Sequence, residues 1–297
     1  MTAPLLALNW SEKGNDGRAY KHPLNPDNKV FSVTTALKVL DKGGLAQWSA
    51  DLTAAWYAAN PDYTMTHSDE GAYNGGRFQW SKELARAGER GTKVHAWFEA
   101  HQRWTDYPEL DEEEAQIVER LKELLASTGY TGEHVEATVW SDTHGYAGTL
   151  DSFGMLDGVP TVIDAKTSRR IHLEHVYQLS ALVNADTLLV FKGTPDDEAH
   201  LAELKAKNHA QFWQEIGGWY NEIPMPQAKQ AALFQVRPDD VDGSTGELVE
   251  SFWKVYRISR EDLDRFYPGF LAALALKRNM VETKKLFAEF ESAGGTW

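Results

Sequence analysis

The chain contains no cysteine, which excludes disulfides, thiolate zinc sites and cysteine-ligated iron–sulphur clusters. Any metal must be held by His, Asp, Glu or backbone oxygen. Long apolar runs are missing too: the longest late one, FLAALAL at Phe270 to Leu276, is far short of a membrane span, and MTAPLLALNW has no basic region ahead of its short apolar stretch. A cytoplasmic protein without a membrane partner is expected. Positive charge is in deficit, with 30 Lys and Arg against 44 Asp and Glu and a formal net charge of -14, which argues against non-specific coating of nucleic acid or anionic membrane. Local charge has to decide what any one cleft binds. Repeats and long linkers are also lacking, and TMTHSDEGAYNGG reads as a loop without the spacing of a phosphate cradle.

What is present is an ordinary globular composition, 42% hydrophobic and 25% charged over 297 residues, enough to bury a substantial core. The first thirty residues, rich in Gly, Asn, Asp and Pro, read as an irregular arm or a hairpin, with order beginning near Val30. SVTTALKVLDKGG predicts a helix capped by Ser and Thr and stopped by a Gly pair, and LAQWSADLTAAWYAAN predicts a second one ending before Pro61. Its stripe of Leu45, Trp48, Leu52 and Trp56 reads as core packing. Arg77 to Glu99 is helical in pattern with an interruption at Gly88 to Gly91, and DEEEAQIVERLKELLAS is an amphipathic helix with an acidic start, its acid run a solvated face.

Strand patterns cluster from Val135 to Ile163: VEATVW, the turn SDTHGYAG, TLDSFGML, the turn DGVP, then TVIDAKTS. This predicts a three-stranded antiparallel meander. The helix LEHVYQLSALVNA and DTLLVFKG, a strand or a helix end, complete β-β-β-α-β, an α+β core. Asp196 to Pro224 reads as an inserted helix with loops, ALFQVRPDDVDGSTGELVESFWKVYRI as a hairpin, and Ser259 onward as helical. Asp239, Asp240 and Asp242 lack the ordered spacing of a calcium loop and read as a solvated turn.

The chemistry gathers at the end of the third strand. Asp164 and Lys166 are two apart and share one face. Alone they read as a surface ion pair. Asp151, one strand and one turn earlier, can reach Asp164 as a cross-strand neighbour about 5 Å away, and a divalent cation would relieve the cost of two adjacent carboxylates. In GTKVHAWFE, His95 and Glu99 stand four apart on one helical face, after a break and cap at Gly91 and Thr92, making His95 a nitrogen ligand candidate for the same ion.

In this order GTKVHAWFE, GYAGTLD, VIDAKTS and YQLSAL, spanning Gly91 to Ala185, resemble the RecB-like branch of the PD-(D/E)XK nuclease superfamily, above all phage-type exonucleases related to CRISPR adaptation nucleases. SVTTALKVLDKGGLAQW is similar to the N-terminal helices of the phage group. The resemblance implies a restriction-endonuclease-like core with a mixed central sheet flanked by helices, elaborated by helices at both ends. On that basis the chain is expected to be one nuclease domain over 1–297, with an arm and helices at 1–90, a catalytic core at 91–192, a helical insert at 193–227 and a hairpin with C-terminal helices at 228–297.

The resemblance also implies roles. His95, Asp151 and Asp164, with the backbone carbonyl of Ala165, are the metal ligands; Lys166 is the catalytic lysine; and Gln178 orients that lysine and the water or DNA backbone. Glu136 and Glu99 are candidates for groups behind the ligands. Two departures stand out. The family helix reads Gln-x-x-x-Tyr, whereas the fourth position after Gln178 is Leu182 here and Tyr177 points elsewhere, and the cysteines of the cluster-bearing relatives are absent.

The implied activity is metal-dependent phosphodiester hydrolysis with Mg²⁺ or Mn²⁺, at linear duplex or single-stranded DNA ends, in phage or bacterial recombination, repair or processing. A recombination partner protein or a second copy of the chain is the associated expectation. Arg86, Arg90 and Lys93, then Arg169 and Arg170, are candidates to track phosphates, leaving the acid excess on remote faces such as Glu109 to Glu123. Two rivals stand beside this: a catalytically inactive nucleic-acid-binding or assembly protein with a nuclease-like fold, and a different metal hydrolase, which Lys166 fits less well.

Overall fold

The computed structural model describes residues 4–9, 17–40, 44–62, 76–241 and 248–292. Its centre is the expected meander: β4 (Thr131–Ser141), β5 (Tyr146–Leu156) and β6 (Val159–Lys166) run antiparallel, turning at Gly145 and Gly158, where φ is positive. Around it are β1 (Ala7–Asn9), β2 (Arg18–His22), β3 (Asn25–Ser32), β7 (Thr187–Phe191), β8 (Tyr220–Pro224), β9 (Gln230–Arg237) and β12 (Phe252–Ser259). These make one ten-stranded mixed sheet; β10 (Asp240–Val241) and β11 (Leu248–Val249) form a small separate hairpin.

The helices are α1 (Val33–Leu37), α2 (Leu45–Ala59), α3 (Gln79–Arg103), α4 (Glu112–Thr128), α5 (Leu173–Val183), α6 (Pro195–Lys207), α7 (His209–Glu215) and α8 (Arg260–Ser292). Apolar side chains alternate along the strands and so cover both faces. Val162 packs in a cluster with Leu179 of α5 and Phe270 of α8, while Ile163 and Ala165 pack with Val94 of α3 and Leu121 of α4. The protein is therefore α+β, a large mixed sheet flanked by helices.

The sheet forks at β5. One edge of β5 pairs with β4 along nearly its whole length; the other pairs with β3 at Tyr146 and Ala147 and with β6 from Ser152 to Leu156. Between these lie Gly148 to Asp151, where β3 and β6 part. Gly148 leaves room there, since a Cβ would stand 2.8 Å from Leu182 and 3.1 Å from Val33. The fork thus admits α1 and α5 and opens a crevice at the ends of β3 and β6.

Several expectations need correction. Of the two readings of the N-terminal residues the hairpin holds, as β2 and β3 pair antiparallel, but order begins well before Val30: β1 to β3 belong to the main sheet, joined through the parallel β3–β5 pairing. Helix α1 keeps its Ser32 cap but ends at Leu37, well before the Gly pair. The α2 stripe is not core packing, since no residue of α2 is buried and Leu45 is 41% exposed; the helix lies beside α3 instead. Helix α3 runs through Gly88 and Gly91 without a break, and Thr92 donates to the Gly88 carbonyl at 2.9 Å as a residue inside the helix, not a cap. The insert holds two helices and a strand, α6, α7 and β8, with β8 extending the sheet beside β7. Thr64 to Gly75 of TMTHSDEGAYNGG, and Asp242, lie outside the described residues, and Asp239 caps the β10–β11 hairpin by accepting from the Ser251 N–H at 2.6 Å.

Candidate active site

Asp151 lies at the fork, one residue beyond the Ser152–Ile163 pair of the β5–β6 ladder. Its Oδ2 accepts the Ala165 N–H at 2.7 Å and stands 3.2 Å from His95 Nδ1. Burial pushes this carboxyl up, but His95, Lys166 and the Ala165 amide outweigh burial and hold it below its ordinary value. For His95 burial pulls downward, and the Asp151 carboxylate overrides it, raising the imidazole from 6.5 to about 9.

Glu136 of β4 completes the cluster. Ligand atoms of His95, Glu136 and Asp151 all lie within 4.8 Å of one another. Glu136 has φ +50°, a left-handed conformation uncommon for a non-glycine residue, and burial, then Asp151 and Glu99, push its carboxyl well above the usual range. This donor set, two carboxylates and an imidazole without sulphur, fits a divalent cation of the Mg²⁺ or Mn²⁺ kind, which would relieve the crowding that raises Glu136.

Asp164 stands close enough to His95 and Asp151 to feel their charge and forms a triangle with Lys166 and Gln178. Val162, Asp164 and Lys166 share the face turned to α5. Gln178 of α5 donates to Asp164 Oδ1 at 2.9 Å and accepts from Lys166 Nζ at 3.4 Å, while Lys166 Nζ forms an ion pair with Asp164 Oδ2 at 2.5 Å. That oxygen, fully buried, has no partner in hydrogen-bonding geometry. Burial lifts Asp164 to about 6 against the pull of Lys166. For Lys166 burial alone would lower the ammonium, but Asp164 and Asp151 raise it, so it stays charged.

Two hollows meet here. One, of about 420 Å³, is lined by Arg18, Thr149, His95, Glu136 and Asp151; the other, of about 320 Å³, by Lys38, Lys166, Thr167 and Ser168; His95 and Gln178 line both. Beyond Glu136 a third, of about 370 Å³, contains Glu99, Arg103 and Glu198. Burial raises Glu99, and Arg103 lies 3.2 Å from it.

The sequence-derived ligand set therefore divides. His95 and Asp151 meet, Glu136 joins them from behind, Asp164 is engaged by Lys166 and Gln178, and Ala165 contributes its N–H to Asp151. Tyr177 turns away onto α8, so close to Gly269 that a Cβ there would meet its ring at 2.6 Å. Sequence reasoning passed over Arg18, because nothing local links that residue to Asp151.

The basic candidates divide as well. Arg86 and Arg90 both pair with Glu113, Arg86 at 2.8 Å, and Lys93 pairs with Glu114 at 3.1 Å. The start of the acid run is thus not a remote solvated face; it ties α4 to α3. Arg169 and Arg170 are exposed on the loop after Lys166.

No family model matches this chain, and no curated protein does. Among solved structures, an alkaline exonuclease (LHK-Exo) from Laribacter hongkongensis is similar over 79% of this chain and 99% of its own, at 12% identity and a TM-score of 0.25. A structure of LHK-Exo in complex with dAMP is similar over 81% of this chain and 96% of its own, at 12% identity and a TM-score of 0.27.

Proposed function

We propose that this protein is a divalent-metal-dependent deoxyribonuclease, an exonuclease that hydrolyses phosphodiester bonds at DNA ends in phage or bacterial recombination, repair or processing. One observation carries the reading: the His95–Glu136–Asp151 cluster shares a crevice with the Asp164–Gln178–Lys166 triangle. An ion pair needed only for stability would not require three further ionisable groups around it.

His95, Glu136 and Asp151, with Asp164 beside them, would hold Mg²⁺ or Mn²⁺. When bound, the cation supplies charge neutralisation at the scissile phosphate and acidifies water. Lys166, kept charged by Asp164 and Asp151, donates to the phosphate oxygens as negative charge builds on them. Gln178 fixes that ammonium and Asp164 relative to one another. Water adds to phosphorus and one P–O bond breaks, leaving a phosphate on one side and a hydroxyl on the other. Arg18, Arg169 and Arg170 supply positive charge along the crevice for the flanking phosphates.

The test is incubation with end-labelled linear duplex, single-stranded and closed circular DNA in Mg²⁺, Mn²⁺ or chelator. Metal-dependent loss of the linear substrates, abolished in Asp164→Ala, is expected. Binding without cleavage by wild type on every substrate and metal would instead establish the inactive DNA-binding alternative.

A further inference from the structure

Two polar side chains of β9 are buried in a place where apolar packing would suffice. Gln235 is 2% exposed and Arg237 9% exposed, and standing two apart they share one face of the strand. Burying an amide and a guanidinium is unfavourable unless their donors are used. Both use donors on the same short segment: Gln235 Nε2 donates to the Ser168 carbonyl at 2.7 Å, and Arg237 Nη1 to the Arg169 carbonyl at 3.5 Å. The oxygen end of Gln235 accepts from the Tyr256 hydroxyl of β12 at 3.2 Å. With both ends engaged, the amide has one favourable orientation.

The anchored segment is the loop between β6 and α5, residues 167–172. It begins directly after Lys166, the parallel-ladder partner of Gln235, and it carries Arg169 and Arg170 on its exposed side. Ser168 Oγ donates to the Arg170 carbonyl at 3.0 Å, tightening the turn. Thr167 lies against α3 at Gly91, where a Cβ would be 3.4 Å from its hydroxyl. A loop of two arginines without such ties would lose conformational freedom on meeting a ligand, and a loop ordered beforehand avoids that loss.

We propose that Gln235, backed by Tyr256 and Arg237, is a positioning residue that presets the Arg169–Arg170 loop to grip the phosphate backbone of DNA beside the Lys166 hollow. This rests on the nuclease reading above.

The experiment measures binding of fluorescent linear duplex DNA to the full chain in chelator, across a salt series, with hydrogen exchange of residues 167–172 followed in parallel. Gln235→Leu is expected to weaken binding about tenfold, and the milder Tyr256→Phe about threefold. Arg169→Ala with Arg170→Ala should weaken binding and reduce the slope of log affinity against log salt by about 2. In that doubly substituted background, Gln235→Leu should add less than about a twofold loss, because the loop it presets has lost its charges. With metal present, the Gln235→Leu defect should appear in KM more than in kcat. Loop exchange should quicken in Gln235→Leu while thermal unfolding stays cooperative.

Unchanged affinity and exchange in Gln235→Leu would overturn the proposal. So would a loss equally large with and without the two arginines, which signals general destabilisation. A wild type that neither binds nor cuts DNA overturns the nuclease reading itself, and exchange then reads the anchor alone: faster exchange in Gln235→Leu upholds it and equal exchange overturns it.

Discussion

Gln178 donates to Asp164 Oδ1 at 2.9 Å from one end of its amide and accepts from Lys166 Nζ at 3.4 Å at the other. No other side chain bridges these two groups among the described residues. Substituting Gln178→Ala should leave Asp164 and Lys166 in place but free to rotate, so that DNA cleavage falls about 10- to 100-fold with little change in KM. Steady-state kinetics on linear duplex decide it; a rise in KM at constant kcat would assign Gln178 to substrate binding instead.

His95 yields a pH dependence with a definite sign. Its imidazole rises from 6.5 to about 9 in the folded protein, so its pairing with Asp151 stabilises fully below the unfolded value and is lost as pH rises through the folded one. The metal-free protein should therefore melt a few degrees lower at about pH 9.5 than at about pH 7, and His95→Gln should flatten that slope. Mn²⁺ must displace the same proton, so its affinity should climb with pH across this window. Calorimetry in buffers of different ionisation enthalpy would reveal the released proton, and its absence would detach His95 from the cation.

Glu136 combines a φ of +50° with a half-buried carboxyl pushed well above its usual range. Both are unfavourable, the backbone part by about 1 kcal/mol or more. Glu136→Gly should raise the melting temperature of the metal-free protein and weaken Mn²⁺ binding about 10- to 100-fold. A lower melting temperature would show that the carboxylate serves the fold.

Gly154 sits across from the β4 irregularity between Gly132 and His134, and a Cβ there would stand 1.9 Å from the Thr131 carbonyl oxygen. Because that neighbour is backbone, the ladder has to shift. Gly154→Ala should cost about 3 kcal/mol, seen as a lower urea midpoint at constant slope, with cation affinity of the folded fraction kept. A change below about 0.5 kcal/mol would mean that the bulge absorbs the methyl group freely.

Local signals were readable wherever one element settles its own conformation. The meander follows from β-branched and alternating residues separated by turns. Helix α4 follows from Asp111 and Glu114, whose reciprocal bonds close its first turn. Gln178, Asp164 and Lys166 were named from motif order, and they touch. Where burial follows from type alone the reading fails: the α2 tryptophans are hydrophobic, yet no residue of α2 is buried, and among the described elements α3 is the main one packed beside it. At Gly88 and Gly91, tertiary contacts of α3 outweigh a helix penalty of about 1 kcal/mol per glycine.

By itself the sequence determined the central meander, the Ser32 and Asp111 caps and the residue types able to hold a cation, since these depend on neighbours a few positions apart. Only the tertiary structure decided that β3 and β6 share one edge of β5, opening the crevice between them. It also decided that Glu136 meets His95 and Asp151, and that Arg86, Arg90 and Lys93 join the acids of α4 while Arg169 and Arg170 stay exposed. Those outcomes depend on register and interhelix contact between segments distant in the chain, and short-range pattern carries no information about either.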